Sequence, residues 1–297
     1  MFDELKTFIA VVEFKNFTRA GEYLNLSQPS VSTHIKNLEN YFNVTLINRS
    51  IKQKTIHITE SGYKLYEHAK EILNLLEVTY LDVKNSSNSL KGTLKIGASL
   101  TIGEYILPKF LSYFTNKYPD IEIELIIENT SSISSRIKDL SLDIGLIEGA
   151  PQPGNITQDY FLKDSMVIAF PYDKDIDPEN FKLENLNDQK WIVREEGSGT
   201  REFFNTFMQT NKLTPKKIMV LGSNYAIKEA VKNNLGITLI SSLVTANEEN
   251  NNEFSLCSLN NSLYRYFSYI IPQNITLTKA TSTFLEELKL FYSSNNK

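Results

Sequence analysis

The sequence predicts an α/β protein in three parts: an N-terminal winged helix-turn-helix, a long linker helix, and a two-lobed α/β domain. Three observations predict it. The first 62 residues carry apolar side chains at helical spacing, broken twice by short polar turns. The next stretch, to about residue 88, keeps a seven-residue apolar period. From residue 93 onward, short apolar runs of strand length alternate with helical patterns.

Leu5, Phe8, Ile9 and Val12 form the inward stripe of a first helix. Asn16-Phe17-Thr18 interrupts it, and Thr18 is placed to cap a second helix over 19–24, with Ala20 and Leu24 inward. Asn25-Leu26-Ser27 is a tight turn. The third helix opens at Ser27, whose hydroxyl can accept from the N–H near Ser30. Pro29 sits in the first turn, where its missing N–H costs nothing. Val31, Ile35, Leu38 and Phe42 then repeat as one buried stripe. The opposite face, Pro29, Ser32, Thr33, Lys36 and Asn40, is small and polar, and suits base edges and phosphates. Taken alone this is equally an ordinary surface helix. Preceded by a second short helix and a tight turn, it makes the helix-turn-helix pattern. Residues 44–49 and 54–59 alternate like a small hairpin, with Arg49, Lys52, Lys54 and His57 about its tip, a wing suited to the phosphate backbone. The candidate DNA contacts are therefore Thr18, Arg19, Ser27, Gln28, Pro29, Ser30, Ser32, Thr33, His34 and Lys36, with Arg49, Lys52 and Lys54 on the wing.

Composition sets bounds. A chain of 297 residues holds two or three domains. No apolar run approaches the roughly 20 residues of a membrane span, and Asp3 and Glu4 do not belong in a signal peptide, so the cytoplasm is expected. Cys257 is the single cysteine, which excludes an intrachain disulfide and a thiolate cage. His34, His57 and His68 are not spaced as a metal pair, and neither metal nor cofactor is expected. The net charge of −4 argues against nucleic acid, but its distribution argues for it. Residues 1–62 hold seven Lys/Arg and six Asp/Glu, and within 27–59 the balance is four basic to one acidic. Such modest positive charge calls for paired DNA-binding domains and salt-sensitive affinity.

Leu65, Ala69, Ile72, Leu76, Tyr80 and Val83 carry the seven-residue period of a coiled-coil seam on a helix from Glu60 to about Asn88, with Thr59 as its cap. The stripe pairs with a second chain or packs on its own wing domain; the first is the expectation, with recognition helices then falling on successive major grooves. Residues 84–89 form a polar hinge. Strands at 93–98, 121–128 and 142–147 and helices at 104–117 and 133–140 make a βαβαβ unit. A second begins at 166–170 and continues through strands 191–194, 218–221 and 236–240 and helices 201–209 and 226–232. An extended run at 263–271 and a last helix over 279–292 return to the first. Residues 247–253 are expected to be a solvated loop. The expected domains are 1–62, a linker at 63–91, and 92–297, the last divided into lobe I (92–164 and 268–297) and lobe II (165–267).

Ligands of open α/β sheets bind beyond strand carboxyl ends, at helix N-termini. Two stretches fit: Ser99, Leu100 and Thr101 before Gly103, and Gly197, Ser198, Gly199, Thr200 and Arg201. Each offers hydroxyls and backbone N–H groups; the glycines permit close approach, and Arg201 can grip an oxyanion or pair instead with Glu195 or Glu196. Asn224, in Gly222-Ser223-Asn224, is a third contributor. Asn129-Thr130-Ser131 and Glu148-Gly149 lie at analogous strand ends, where capping and hinge roles compete with binding. No nucleophile elbow, phosphate-binding loop or dinucleotide fingerprint is present, so an enzyme is not expected.

Residues 1–62 resemble the winged helix-turn-helix of LysR-type transcriptional regulators through Phe17-Thr18-Arg19-Ala20, Leu24, Leu26-Ser27-Gln28-Pro29-Ser30-Val31-Ser32, Ile35-Lys36-Asn37-Leu38-Glu39, Leu46, Arg49 and Thr59-Glu60-Ser61-Gly62. Gly21 departs from the usual Ala, Ile47 from a common Phe and Thr33 from a frequent Arg, and the wing is about two residues longer. The resemblance implies a periplasmic-binding-protein-like effector domain in the second half, a linker-helix dimer, and a homotetramer on double-stranded promoter DNA. Ser-Gly-Thr-Arg at 198–201 and the run at 97–105 resemble the branch of sulphur-assimilation and carbon-fixation regulators. That branch implies a small anionic effector and a place in sulphur metabolism. Against this stand a ligand-independent architectural DNA binder, and a solute-binding protein that would have no use for residues 1–90.

Overall fold

A computed structural model describes residues 1–50, 55–84, 90–172, 183–250, 253–258 and 263–294. Two compact units divide the chain, Met1–Ser86 and Ser87–Lys297.

The first unit begins with α1 (Phe2–Phe14), α2 (Phe17–Leu24) and α3 (Gln28–Phe42). Asn16, not Thr18, caps α2: its side chain accepts from the N–H groups of Thr18 and Arg19 at 2.9 and 3.1 Å. The helix consequently starts two residues earlier than expected, with Thr18 inside its first turn. Ser27 caps α3 as predicted, its hydroxyl accepting from the Ser30 N–H at 3.2 Å. Val31, Ile35 and Leu38 are buried against Leu5, Phe8, Val12 and Ala20. Phe42 leaves the expected stripe; as the last residue of α3 it is exposed and meets Tyr41 edge-on at 5.0 Å. A Cβ on Gly21 would lie 2.6 Å from the Leu26 carbonyl oxygen, which explains the glycine at this crowded turn.

Strands β1 (Ile47–Ser50) and β2 (Thr55–Ile58) pair antiparallel from Ile47↔Ile58 to Ser50↔Thr55. Thr59 then caps α4 (Glu60–Lys84), accepting from the Gly62 N–H at 2.9 Å. Early in α4, Leu65, Tyr66, Ala69 and Leu73 pack into the core of this unit. Later, Ile72, Leu76, Tyr80 and Val83 are all exposed, Val83 at 75%. The predicted stripe thus divides: its start packs on its own domain, and its remainder faces out. The expected hinge lies mostly outside the described residues.

In the second unit, β3 (Gly92–Ala98) leads through a π-helical turn at Ile102–Ile106 into α5 (Leu107–Lys117), with Pro108 in the first turn. There follow β4 (Ile121–Ile127), α6 (Thr130–Lys138), β5 (Ile144–Glu148) and β6 (Ile156–Pro171). The strand β6 starts ten residues before the expected 166. A 3-10 turn at Leu183–Leu186 precedes β7 (Lys190–Val193), α7 (Gly199–Thr210), β8 (Lys217–Val220), α8 (Asn224–Lys232) and β9 (Thr238–Ser241). Then come α9 (Ser242–Asn250), β10 (Phe254–Cys257), β11 (Tyr264–Pro272) and α10 (Lys279–Ser294). Residues 247–250 are therefore the end of α9 rather than part of a loop.

Strands run in the order β10-β6-β11-β5-β3-β4, with β9 also on β6 and β7 paired to β8. Strand β3 is parallel to both β4 and β5, while β11 is antiparallel to β5 and β6. Two lobes have separate cores. One gathers Phe110, Phe114, Phe267 and Phe284 from α5, β11 and α10. Each such phenylalanine contributes about 1.5–3 kcal/mol by burial. The other gathers Trp191, Phe204, Ile168 and Leu239. Strand β6 contributes to both, through Phe161 and Leu162 in the first and Met166, Ile168 and Phe170 in the second.

Candidate nucleic-acid interface and effector cleft

Helix α3 presents its polar side outward. Ser27, Gln28, Pro29, Thr33 and Lys36 are exposed, and Ser30 and Ser32 half-buried. Several of these groups organise one another. Ser27 and Ser30 hydroxyls lie 2.8 Å apart, the Gln28 amide donates to Ser32 Oγ at 3.2 Å, and Thr33 donates to the Pro29 carbonyl at 3.0 Å. Thr18 and Arg19 are exposed at the start of α2. His34 does not share this face: its Nδ1 lies 2.8 Å from the Thr7 hydroxyl of α1, so the ring is tied inward. Arg49 stands in β1, although nothing of its side chain is described, and Lys52 and Lys54 lie outside the described residues.

In the second unit the two predicted loops border one buried cluster: Thr101 contacts Glu148 and Thr200 contacts Arg265, and these two partners meet. Ser99, Thr101, Ser198, Thr200 and Asn224 are each at most 4% exposed, while Leu100 is half-buried and Gly197 exposed. The Ser131 N–H donates to the Gly197 carbonyl at 3.0 Å, joining the lobes through backbone. Gly199 makes the closest approach: a Cβ there would lie 2.1 Å from the Glu148 carbonyl oxygen. This glycine therefore admits the opposite lobe's backbone rather than a ligand.

At the centre is a buried ionic cluster. Arg265, on β11, lies 2.9 Å from Glu148 Oε2, donates to Asp164 Oδ2 at 2.7 Å and donates to Thr200 Oγ1 at 3.0 Å. Thr101 donates to Glu148 Oε1 at 3.5 Å, and Ser241 donates to Asp164 Oδ1 at 2.6 Å. Burial pushes the Glu148 carboxyl up, more strongly than Arg265, Arg194 and Thr101 pull it down. Alongside, Arg194 grips Glu195 through two donors at 2.8 Å and donates to Asn224 Oδ1 at 3.2 Å. Burial also raises Glu195, but the paired Arg194 outweighs it and holds the carboxyl below its ordinary range.

Arg201 is not in the cleft cluster. It pairs with exposed Glu196 at 2.9 Å and donates to Asn205 and to the Arg194 carbonyl. Asn129 caps α6, accepting from the Ser132 N–H at 3.0 Å, and so takes the capping role weighed for it. The guanidinium that reaches the cleft is Arg265. Its signal was a lone charge in the apolar run Tyr264-Arg265-Tyr266-Phe267, at the same inward parity as Phe267. Arg194, at the end of Trp191-Ile192-Val193, gave a similar sign, and Asp164 gave none.

Seven buried polar side-chain atoms lack a hydrogen-bond partner among the described residues, and five of them lie in or beside the cleft: Ser99 Oγ, Ser198 Oγ, Asn224 Nδ2, Glu148 Oε2 and Arg265 Nη2. Ser198 is the N-cap of α7, yet its hydroxyl makes no cap bond. Buried orphans of this kind are costly, and Ser99, Ser198 and Asn224 stand at the starts of three helical segments.

A groove-reading helix-turn-helix with a wing, joined to a two-lobed domain around a polar cleft, defines a DNA-binding regulator of the sensor type. Residues 2–63 match the family described as bacterial regulatory helix-turn-helix protein, lysR family, and residues 87–291 match the LysR substrate binding domain. The chain belongs to the LysR family of transcription regulators, which are not enzymes. It is 41% identical to the HTH-type transcriptional regulator CysL of Bacillus subtilis, over 99% of this chain and 98% of that one. It is 31% identical to a probable RuBisCO transcriptional regulator of Thalassiosira pseudonana, over 97% and 96%. Both belong to the sulphur and carbon-fixation branch that residues 97–105 and 198–201 resemble. Among solved structures, the Synechocystis PCC6803 CcmR regulatory domain in complex with 2-PG is similar at a TM-score of 0.63 and 26% identity, over 68% of this chain and 98% of that one. The helix-turn-helix match sets aside a solute-binding role.

Proposed function

We propose that this LysR-type regulator binds a small anionic metabolite between the lobes of its second unit, and that this ligand modulates promoter binding. The observation that carries the reading is the set of buried, unpartnered donors at Ser99, Ser198 and Asn224, beside Thr101, Thr200 and Arg265. The 2-PG held by the Synechocystis domain, itself a small anion, supports the ligand class. Thr101→Ala and Thr200→Ala should abolish thermal stabilisation by a responsive anion; variants that respond like wild type would place the ligand elsewhere. The likeness to CysL supports a role in sulphur metabolism, with the protein cytoplasmic.

On the DNA side, Thr18, Arg19, Gln28, Pro29, Ser32, Thr33 and Lys36 take the groove and its phosphates, with Arg49, Lys52 and Lys54 on the wing. The exposed run Ile72, Leu76, Tyr80 and Val83 supports pairing of α4 with a second copy, and a homotetramer follows on family grounds. Ser32→Ala or Lys36→Ala should weaken operator binding in a gel-shift titration without changing the fold, and unchanged binding would relocate the DNA face.

A further inference from the structure

The cleft already contains an anion. Glu148 is 1% exposed, and its carboxylate lies among the groups an incoming oxyanion would use: the Arg265 guanidinium and the Thr101 hydroxyl. The contact with Arg265 is short, but Glu148 Oε2 and Arg265 Nη2 are not aligned as a hydrogen bond, and both atoms count as buried without one. A charge pair whose facing atoms share no hydrogen bond recovers less of its desolvation cost than an aligned one. Charge balance points the same way. Within the cluster, Glu148, Asp164 and Glu195 set three carboxylates against the guanidiniums of Arg194 and Arg265. No surplus positive charge remains in it to receive an anion.

We propose that Glu148 is an internal counter-anion, and that a small oxyanion enters the cleft by displacing it from Arg265 with uptake of one proton on the Glu148 carboxyl. This rests on the effector reading above and adds its regulation: the sensor responds to the anion and to acidity together. The proton comes from solvent and stays on the Glu148 carboxyl; no covalent bond to the ligand forms.

The surroundings leave few other sources of such coupling. Arg265, from β11, and Arg194, just after β7, each hold a carboxylate of the cluster. Asp164, from β6, is held by Arg265 and Ser241. Glu195 is held by Arg194 and Asn129. Glu202, from α7, comes beside Gly149 but is exposed, so water and salt screen it. Residues 87–297 contain no histidine, so proton uptake in the neutral range needs a carboxyl raised from its ordinary value. Burial raises Glu148, and a second anion beside it raises it further. Linkage then fixes the sign: a ligand that raises this carboxyl binds more tightly as pH falls, by up to about tenfold per pH unit.

The probe is inorganic sulfate, which keeps its double charge across this range. Full-length wild type, E148Q and T200A are titrated with it by calorimetry at about pH 5.5 and about pH 8, in buffers of two ionisation heats. Wild type should bind at least about tenfold more tightly at the lower pH, taking up one proton. E148Q, whose amide carries no charge, should bind at both, with less than about a twofold difference. Binding to wild type that is equal at both pH values and takes up no proton, yet is lost in T200A, would overturn the role of Glu148 and leave the anionic effector standing. An E148Q protein with native circular dichroism and DNA binding that takes no sulfate at either pH would overturn both. Should E148Q fail to fold, the wild-type proton count decides alone.

Discussion

Gly199 and Arg201 stand two positions apart, and both contact the protein itself. The glycine was expected to admit a ligand; it admits the Glu148 carbonyl of the opposite lobe. Gly199→Ala should therefore cost on the order of 1–3 kcal/mol through overpacking against backbone that cannot rotate away. A lowered midpoint in urea, with an unchanged slope, is the expected measurement. For Arg201 an oxyanion contact was weighed against pairing with Glu195 or Glu196, and it takes the pairing, with Glu196, alongside Asn205 and a carbonyl. Arg201→Ala should leave anion-induced stabilisation unchanged in a thermal shift assay. The two loops were legible as hydroxyl- and glycine-bearing starts of helices. Which arginine serves them was not, because Arg265 reaches the cleft from a strand 65 residues beyond Thr200. Sequence proximity favoured the wrong guanidinium.

Helix ends and strand starts divide in the same way. Ser27 was readable as a cap since Pro29 follows it in the first turn. Asn16 was missed because Thr18 offered a second capping side chain, and only the extended backbone of Asn16, at φ −158° and ψ 120°, decides between them. Asn16→Ala should destabilise the first unit by about 1 kcal/mol, whereas Thr18→Ala should cost only a few tenths; chemical denaturation of the two variants compares them. The early half of β6 escaped notice because Thr157, Gln158, Asp159 and Tyr160 are polar or exposed, and their pairing partner β11 lies about a hundred residues on. For α4, the period was legible but not its division. Ala69 is fully buried within its own domain, while Ile72 and Leu76 face out. Ile72→Asp should yield single chains by light scattering while leaving circular dichroism unchanged, because nothing within the first unit's core depends on that side chain.

At the scale of the molecule, the pH responses of Glu287 and Glu148 run in opposite directions. Burial raises Glu287, but hydrogen bonds from Lys117, Tyr113 and Tyr118 together outweigh it, so its carboxyl sits below the ordinary value. That stability is present above the unfolded-state value and is lost as pH falls through the folded one. Glu148 is raised, so its contribution has the other sign: stability declines as pH climbs from the unfolded-state value through the folded one. Melting temperatures across acidic to neutral pH should accordingly rise less steeply from the acid side in E287Q. The pairing of β6 with β11 runs from Tyr264↔Ser165 to Pro272↔Ile156, with one irregularity between Phe267 and Ser268. A bulge bends its strand and increases the local twist, so this long antiparallel pair changes direction at Phe267 and Ser268, beside Arg265 and its carboxylate partners.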